Sequence, residues 1–171
     1  PPNGVAHRTS PTNIGLYLLS VLSARDFGYL TTDAMCEKIA GTLNTIDKLE
    51  TCNGHLFNWY DTRTLEVLRP KYVSTVDSGN YIACLIALKE GLREYAETEN
   101  FNFSNIQGLK DAILEEKAEY RELLDDVTDK AEMFQKLNLH QDEFINNRTI
   151  QKMLSMFREE KSFDIGDLLQ R

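Results

Sequence analysis

Apolar positions along the chain fall into two kinds of helical pattern. From Ile14 to Phe27 they are Ile14, Leu16, Tyr17, Leu18, Leu19, Val21, Leu22, Ala24 and Phe27. That segment is apolar on nearly every side and predicts a helix buried on most faces. Ser10 or Thr12, beside Pro11, supplies its cap, and Gly28 ends it. Thr31-Thr32-Asp33 opens a second helix, in which Met35, Ile39, Leu43, Ile46 and Leu49 recur at three- and four-residue spacing. This one is one-sided, and Cys52-Asn53-Gly54 ends it in a turn. A third helix is expected from about Asp77 or Ser78 to Tyr95, again apolar nearly all round. Between the second and third helices, residues 55–60 are aromatic-rich and suit a strand. Asp61-Thr62-Arg63-Thr64 reads as a turn and residues 65–68 as a short return strand, giving one small β-hairpin near 55–69.

After Thr98 the pattern changes. Residues 101–106 read as a polar-aromatic loop. Residues 108–124, 127–139 and 147–157 read as amphipathic, surface-facing helices with acids on the outer side. The expected fold class is therefore all-α, with six or seven helices and one hairpin.

Composition and charge narrow the function. Of 171 residues, 42% are hydrophobic and 27% charged, a globular balance. The net charge of −8 argues against nucleic-acid binding, which draws its affinity from basic residues displacing counterions. The charge is uneven: residues 1–95 carry 9 basic and 10 acidic side chains, residues 96–171 carry 10 and 17. Cys36, Cys52 and Cys84 are odd in number and lack CxxC spacing, so they read as reduced thiols rather than a disulfide framework or a zinc site. His7, His55 and His140 are scattered, which supports neither a metal site nor a histidine-based triad. No apolar run is long enough for a membrane span. The chain opens on Pro-Pro without an initiator methionine, and the expectation is a piece of a longer polypeptide.

Polar side chains that could meet a ligand cluster at turns and helix starts before residue 81. They are Arg8, Thr12 and Asn13; Asn58, Trp59, Tyr60 and Asp61; the stretch Tyr72-Val73-Ser74-Thr75; and Asp77, Ser78 and Asn80. Flat aromatic faces beside carboxylates and amides suit a sugar, whose ring has apolar CH faces and a rim of hydroxyls. Asp61 and Asp77 are the candidate catalytic carboxylates. The same residues also have ordinary structural uses: Asp77 to Asn80 can cap a helix, Asp61 can tie a turn, and Trp59 can be core. The first and third helices both begin near these residues. If one helix runs back between them, their N-termini lie at the same end, and the candidates converge there.

The stretches RTSPTNIGLYLLS (Arg8 to Ser20), ARDFGYL (Ala24 to Leu30), GHLFNWYDT (Gly54 to Thr62) and YVSTVDSGNYIACLIALKEG (Tyr72 to Gly91) resemble consecutive motifs of cyclic β-1,2-glucan synthases. The resemblance covers about residues 1–95; the acidic remainder carries no matching motif. It implies the start of a glucoamylase-like region, a partial (α/α)6-toroid-like helical layer in which residues 1–95 line a glucan site. Residues 96–171 would pack on that part as acidic amphipathic helices within one domain. The implied partners are a β-1,2-glucan or another oligosaccharide, together with the rest of the parent polypeptide or a second copy covering the open face. No cofactor is implied. The parent would be membrane-bound, with this soluble part on the cytoplasmic side of the bacterial inner membrane. The segment would contribute to glucan binding and ring closure and be inactive alone. A helical interaction module docking its acidic face on a basic partner is the alternative.

Overall fold

The computed structural model describes residues 4–98, 101–138, 144–159 and 164–170. Among them are eight α-helices and two small two-stranded sheets, in keeping with the expected all-α class. The first helix, α1 (Pro11–Asp26), starts where Ser10 accepts a hydrogen bond from the Asn13 backbone N–H, with Pro11 in the first turn. Thr31 caps α2 (Thr32–Ile46) in the same way, through the Ala34 N–H. The helix α3 (Thr75–Tyr95) begins earlier than expected, because Ser74 rather than Asp77 is its cap and accepts from the Asp77 N–H. Asp77 is thereby left in the first turn with its carboxylate free for other partners.

Contacts between α1 and α3 ascend together. Thr12 meets Asp77, Gly15 meets Cys84, Leu22 meets Gly91, and Arg25 lies over the Tyr95 ring. The two helices are therefore parallel. A Cβ on Gly15 would stand 2.8 Å from the Cys84 Cβ, so only glycine permits this approach. α2 runs back: Thr32 bonds Arg25 at one end, and Thr42 and Ile46 share a cavity with Thr9 and Ile14 at the other. Leu18, Met35 and Ile39 are fully buried between these helices. Each such side chain contributes about 1.5–3 kcal/mol.

The small sheets differ from the expected hairpin. The strands β2 (Thr51–Cys52) and β3 (His55–Leu56) pair across Asn53 and Gly54, both at positive φ, as a tight hairpin turn requires. A further pair joins β1 (Arg8–Thr9) to β4 (Tyr60–Asp61), so the chain before α1 is stitched to the loop before α3. The expected return strand survives as a single bridge from Tyr60 to Val67 and the bond from the Leu68 N–H to the Trp59 carbonyl. The strand pattern at 55–60 is thus split between two partners.

The second part forms its own core. The helices α4 (Phe103–Glu116), α5 (Arg121–Leu124), α6 (Lys130–Asn138) and α7 (Arg148–Arg158) gather around Ile113, Leu124, Ile150 and Phe157. The stretch expected as a loop at 101–106 instead starts α4, because Asn102 and Asn105 cap it reciprocally. The helix expected over 108–124 breaks at Lys117, where a single 3₁₀ turn intervenes. Two connections bind the parts together. Asn105 donates to the Gly28 and Leu30 carbonyls while Gly108 packs against Gly28. The short helix α8 (Ile165–Leu169) returns to the first core, burying Ile165 and Leu168 there. It walls one side of a cavity of about 320 Å³ between α2 and α3. The outer faces of α1 and α3 stay bare among the described residues: Leu16, Val76, Ile82 and Ile86 are all more than half exposed. Their all-round apolar pattern is therefore only partly buried here.

Candidate functional site

The shared N-terminal end of α1 and α3 holds a connected set of polar side chains. Thr12 Oγ1 donates to Asp77 Oδ1 at 2.6 Å and accepts from Asn80 Nδ2 at 3.2 Å. Asn58, only 6% exposed, completes the set. Its amide nitrogen donates to Asp77 Oδ2 at 3.0 Å, and its amide oxygen accepts from Trp59 Nε1 and the Tyr72 hydroxyl. This orientation follows from chemistry, since an indole N–H only donates and a carboxylate only accepts. The Asn58 backbone N–H also donates to the Tyr72 carbonyl at 2.9 Å. Both oxygens of Asp77 are thus bonded within the first turn of a helix and beside the start of another.

Electrostatics follow from that placement. The Thr12 hydroxyl, and after it the Ser74 hydroxyl, hold the Asp77 carboxyl below its ordinary range against the opposing effect of burial. The positive ends of two helix dipoles favour the same ionised state. Asp61 is held at about 2, chiefly by the Arg63 guanidinium and then by the Arg63 backbone N–H. Both candidate carboxylates are therefore held in their ionised form.

The other expected residues divide. Arg8 lies over the Trp59 ring, 4.7 Å from its centroid, and covers one face of it. Asn13 and Asn80 are exposed at this end. The Ser78 hydroxyl is buried and finds no partner among the described residues. Asp61 ties its own turn, accepting from the Arg63 and Thr64 N–H groups at 2.8 and 3.2 Å, and no hydrogen bond joins it to Asp77 among the described residues. Tyr60 does not face a ligand. Its ring is fully buried, and its hydroxyl donates to the Glu50 carbonyl and accepts from the Phe57 N–H, both at 2.7 Å. Alternation explains this, because Leu56, Asn58 and Tyr60 share the inward side. Tyr72 opens one of the expected polar clusters, Tyr72 to Thr75, but nothing in its local sequence marks a pairing with Asn58 across a loop.

Among the described residues no group of His, Cys, Asp and Glu side chains could hold a metal ion. No described helix is long and apolar enough to cross a membrane. No family model matches the chain. It is 46% identical over 125 residues to the cyclic beta-(1,2)-glucan synthase NdvB of Rhizobium meliloti (strain 1021), a match covering 73% of this chain. So long a match cannot fit within residues 1–95, and it therefore reaches into the acidic part. The chain spans about 4% of the length of that relative. By this relationship the chain belongs to the cyclic β-(1,2)-glucan synthase family.

Proposed function

We propose that this chain lines part of a β-1,2-glucan site in a longer synthase, within a glucoamylase-like region that serves ring closure, and does no chemistry alone. The observation that carries the reading is the Asp77 cluster. An ionised carboxylate, two amides and a hydroxyl meet beside aromatic rings at the common start of two parallel helices. Such an arrangement offers hydrogen-bonding groups for sugar hydroxyls next to flat apolar faces. Inactivity alone is supported by the ionised state of both Asp61 and Asp77, with the proton donor supplied from elsewhere in the parent. In this reading the rest of the parent, or a second copy, covers the bare faces of α1 and α3, and the parent works at the cytoplasmic side of the bacterial inner membrane.

The test uses the full-length synthase. Asp77→Asn is expected to lower the ratio of cyclic to linear β-1,2-glucan at least tenfold while chain elongation continues. The Trp59 emission of this chain is expected to shift on titration with linear β-1,2-glucan. An unchanged product ratio with unchanged emission, alongside a basic partner bound to residues 101–159, would transfer the function to an interaction module.

A further inference from the structure

Trp59 is the residue that composition points to for sugar stacking, yet the structure leaves it poorly placed for that task. Arg8 covers one face of its ring, and its N–H is committed to Asn58. Tyr72 is the opposite case. The residue is 48% exposed, but it is held at two points by the same partner: its carbonyl accepts from the Asn58 N–H, and its hydroxyl donates to the Asn58 amide oxygen. Exposed tyrosines normally turn freely about χ1, and ordering such a ring on binding costs free energy. Here that ordering is already done, by the amide that also bonds Asp77.

We propose that Tyr72 is the sugar-stacking residue of this end, and that Trp59 with Arg8 forms the backing that holds Asn58 in place. This rests on the glucan reading above. The phenol ring would stack on the apolar face of one glucosyl unit, and the Asp77 cluster would meet hydroxyls of the same or the adjoining unit. Asn58 then sets the distance between stacking face and carboxylate, since one side chain bonds both. Phe57 takes no part: Lys71, which pairs with Glu50, lies over its ring at 5.8 Å.

The experiment compares Tyr72→Leu, Tyr72→Phe, Trp59→Phe and Asp77→Asn in the full-length synthase, with linear β-1,2-glucan as substrate for ring closure. Tyr72→Leu keeps apolar bulk and removes the flat face. It is expected to raise KM about tenfold with kcat within twofold. Tyr72→Phe keeps the face and loses the tether, and a rise of about threefold is expected. Trp59→Phe, which removes the N–H bonded to Asn58, should disturb kcat more than KM. A wild-type KM for Tyr72→Leu beside an impaired Asp77→Asn overturns the stacking role alone. Wild-type behaviour of both overturns the glucan site and the stacking role together. A fallen melting temperature in Tyr72→Leu with wild-type KM also counts against the proposal, because it makes the ring structural.

Discussion

The two parts of this molecule use helices differently. In residues 4–98 the helices α1 and α3 are apolar on most sides, lie parallel, and gather polar side chains at one end. In residues 101–138 and 144–159 the helices are apolar on one side only. They close around Ile113, Leu124 and Phe157 and turn their acids outward. The first arrangement leaves apolar faces such as Ile82 and Ile86 bare and concentrates polar groups. Among the described residues the second leaves fewer large apolar side chains bare, Phe103 and Ile145, and gathers no comparable polar set. A helix that is apolar all round needs neighbours on several sides, so it builds layers whose ends can carry sites. A one-sided helix satisfies itself in a small bundle and becomes a covering.

The sharpest way to break this comparison is to empty the second core. Phe157 is fully buried and stacks edge-on against Phe101. Phe157→Ala is expected to cost about 3–5 kcal/mol. If the cores are separate, helical circular dichroism will fall at lower denaturant than Trp59 emission, which reports only the first part. Coincident transitions would make them one cooperative unit. The seam between them comes next. Gly28 sits at φ +78°, and a Cβ there would lie 1.6 Å from the Ser104 carbonyl oxygen. Gly28→Ala is expected to cost about 2–4 kcal/mol and loosen α4 from the α1–α2 corner, seen as faster amide exchange at Asn105. Exchange as slow as wild type would show that the seam does not depend on that close approach.

The smallest effect concerns acid. The carboxyl of Asp77 titrates below its ordinary range in the folded chain, so the ionised form favours folding. Its contribution is present above the unfolded value and is lost as pH falls through the folded one. The stability difference between wild type and Asp77→Asn should therefore shrink as pH falls below the ordinary Asp value of about 4. Asp61, held at about 2, keeps its share to lower pH. A difference independent of pH would mean that Asp77 is not the group responsible.

The long helices were legible because their periodicity is local. The bounds of α1, α2 and α3 fall within a few residues of the expected ones, and the missed start of α3 comes from reading Asp77 as a cap when Ser74 serves. The short strands were not legible. Pairing of Arg8 and Thr9 with Asp61 and Tyr60 joins distant two-residue segments, which have no period to detect. Convergence of Thr12, Asn80, Asn58 and Asp77 was anticipated from helix direction. The roles of Tyr60 and Tyr72 were not: Tyr60 was expected to meet a ligand, and nothing local to Tyr72 marks its pairing with Asn58. Parity with Leu56 was the one available clue for Tyr60.

The return of α8 to the first core has a consequence for how the chain is made. Ile165 and Leu168 are buried in the first core, and Leu168 walls the groove between α2 and α3, yet a ribosome delivers them only after the whole acidic bundle. Until then that groove stays open to solvent, and its completion waits on a contact far away in sequence, the kind that forms slowly. The acidic bundle is thus a detour fastened at both ends, at Asn105 against Gly28 and at α8. A detour of that kind can open and refold without drifting off, because both its attachments belong to the other core.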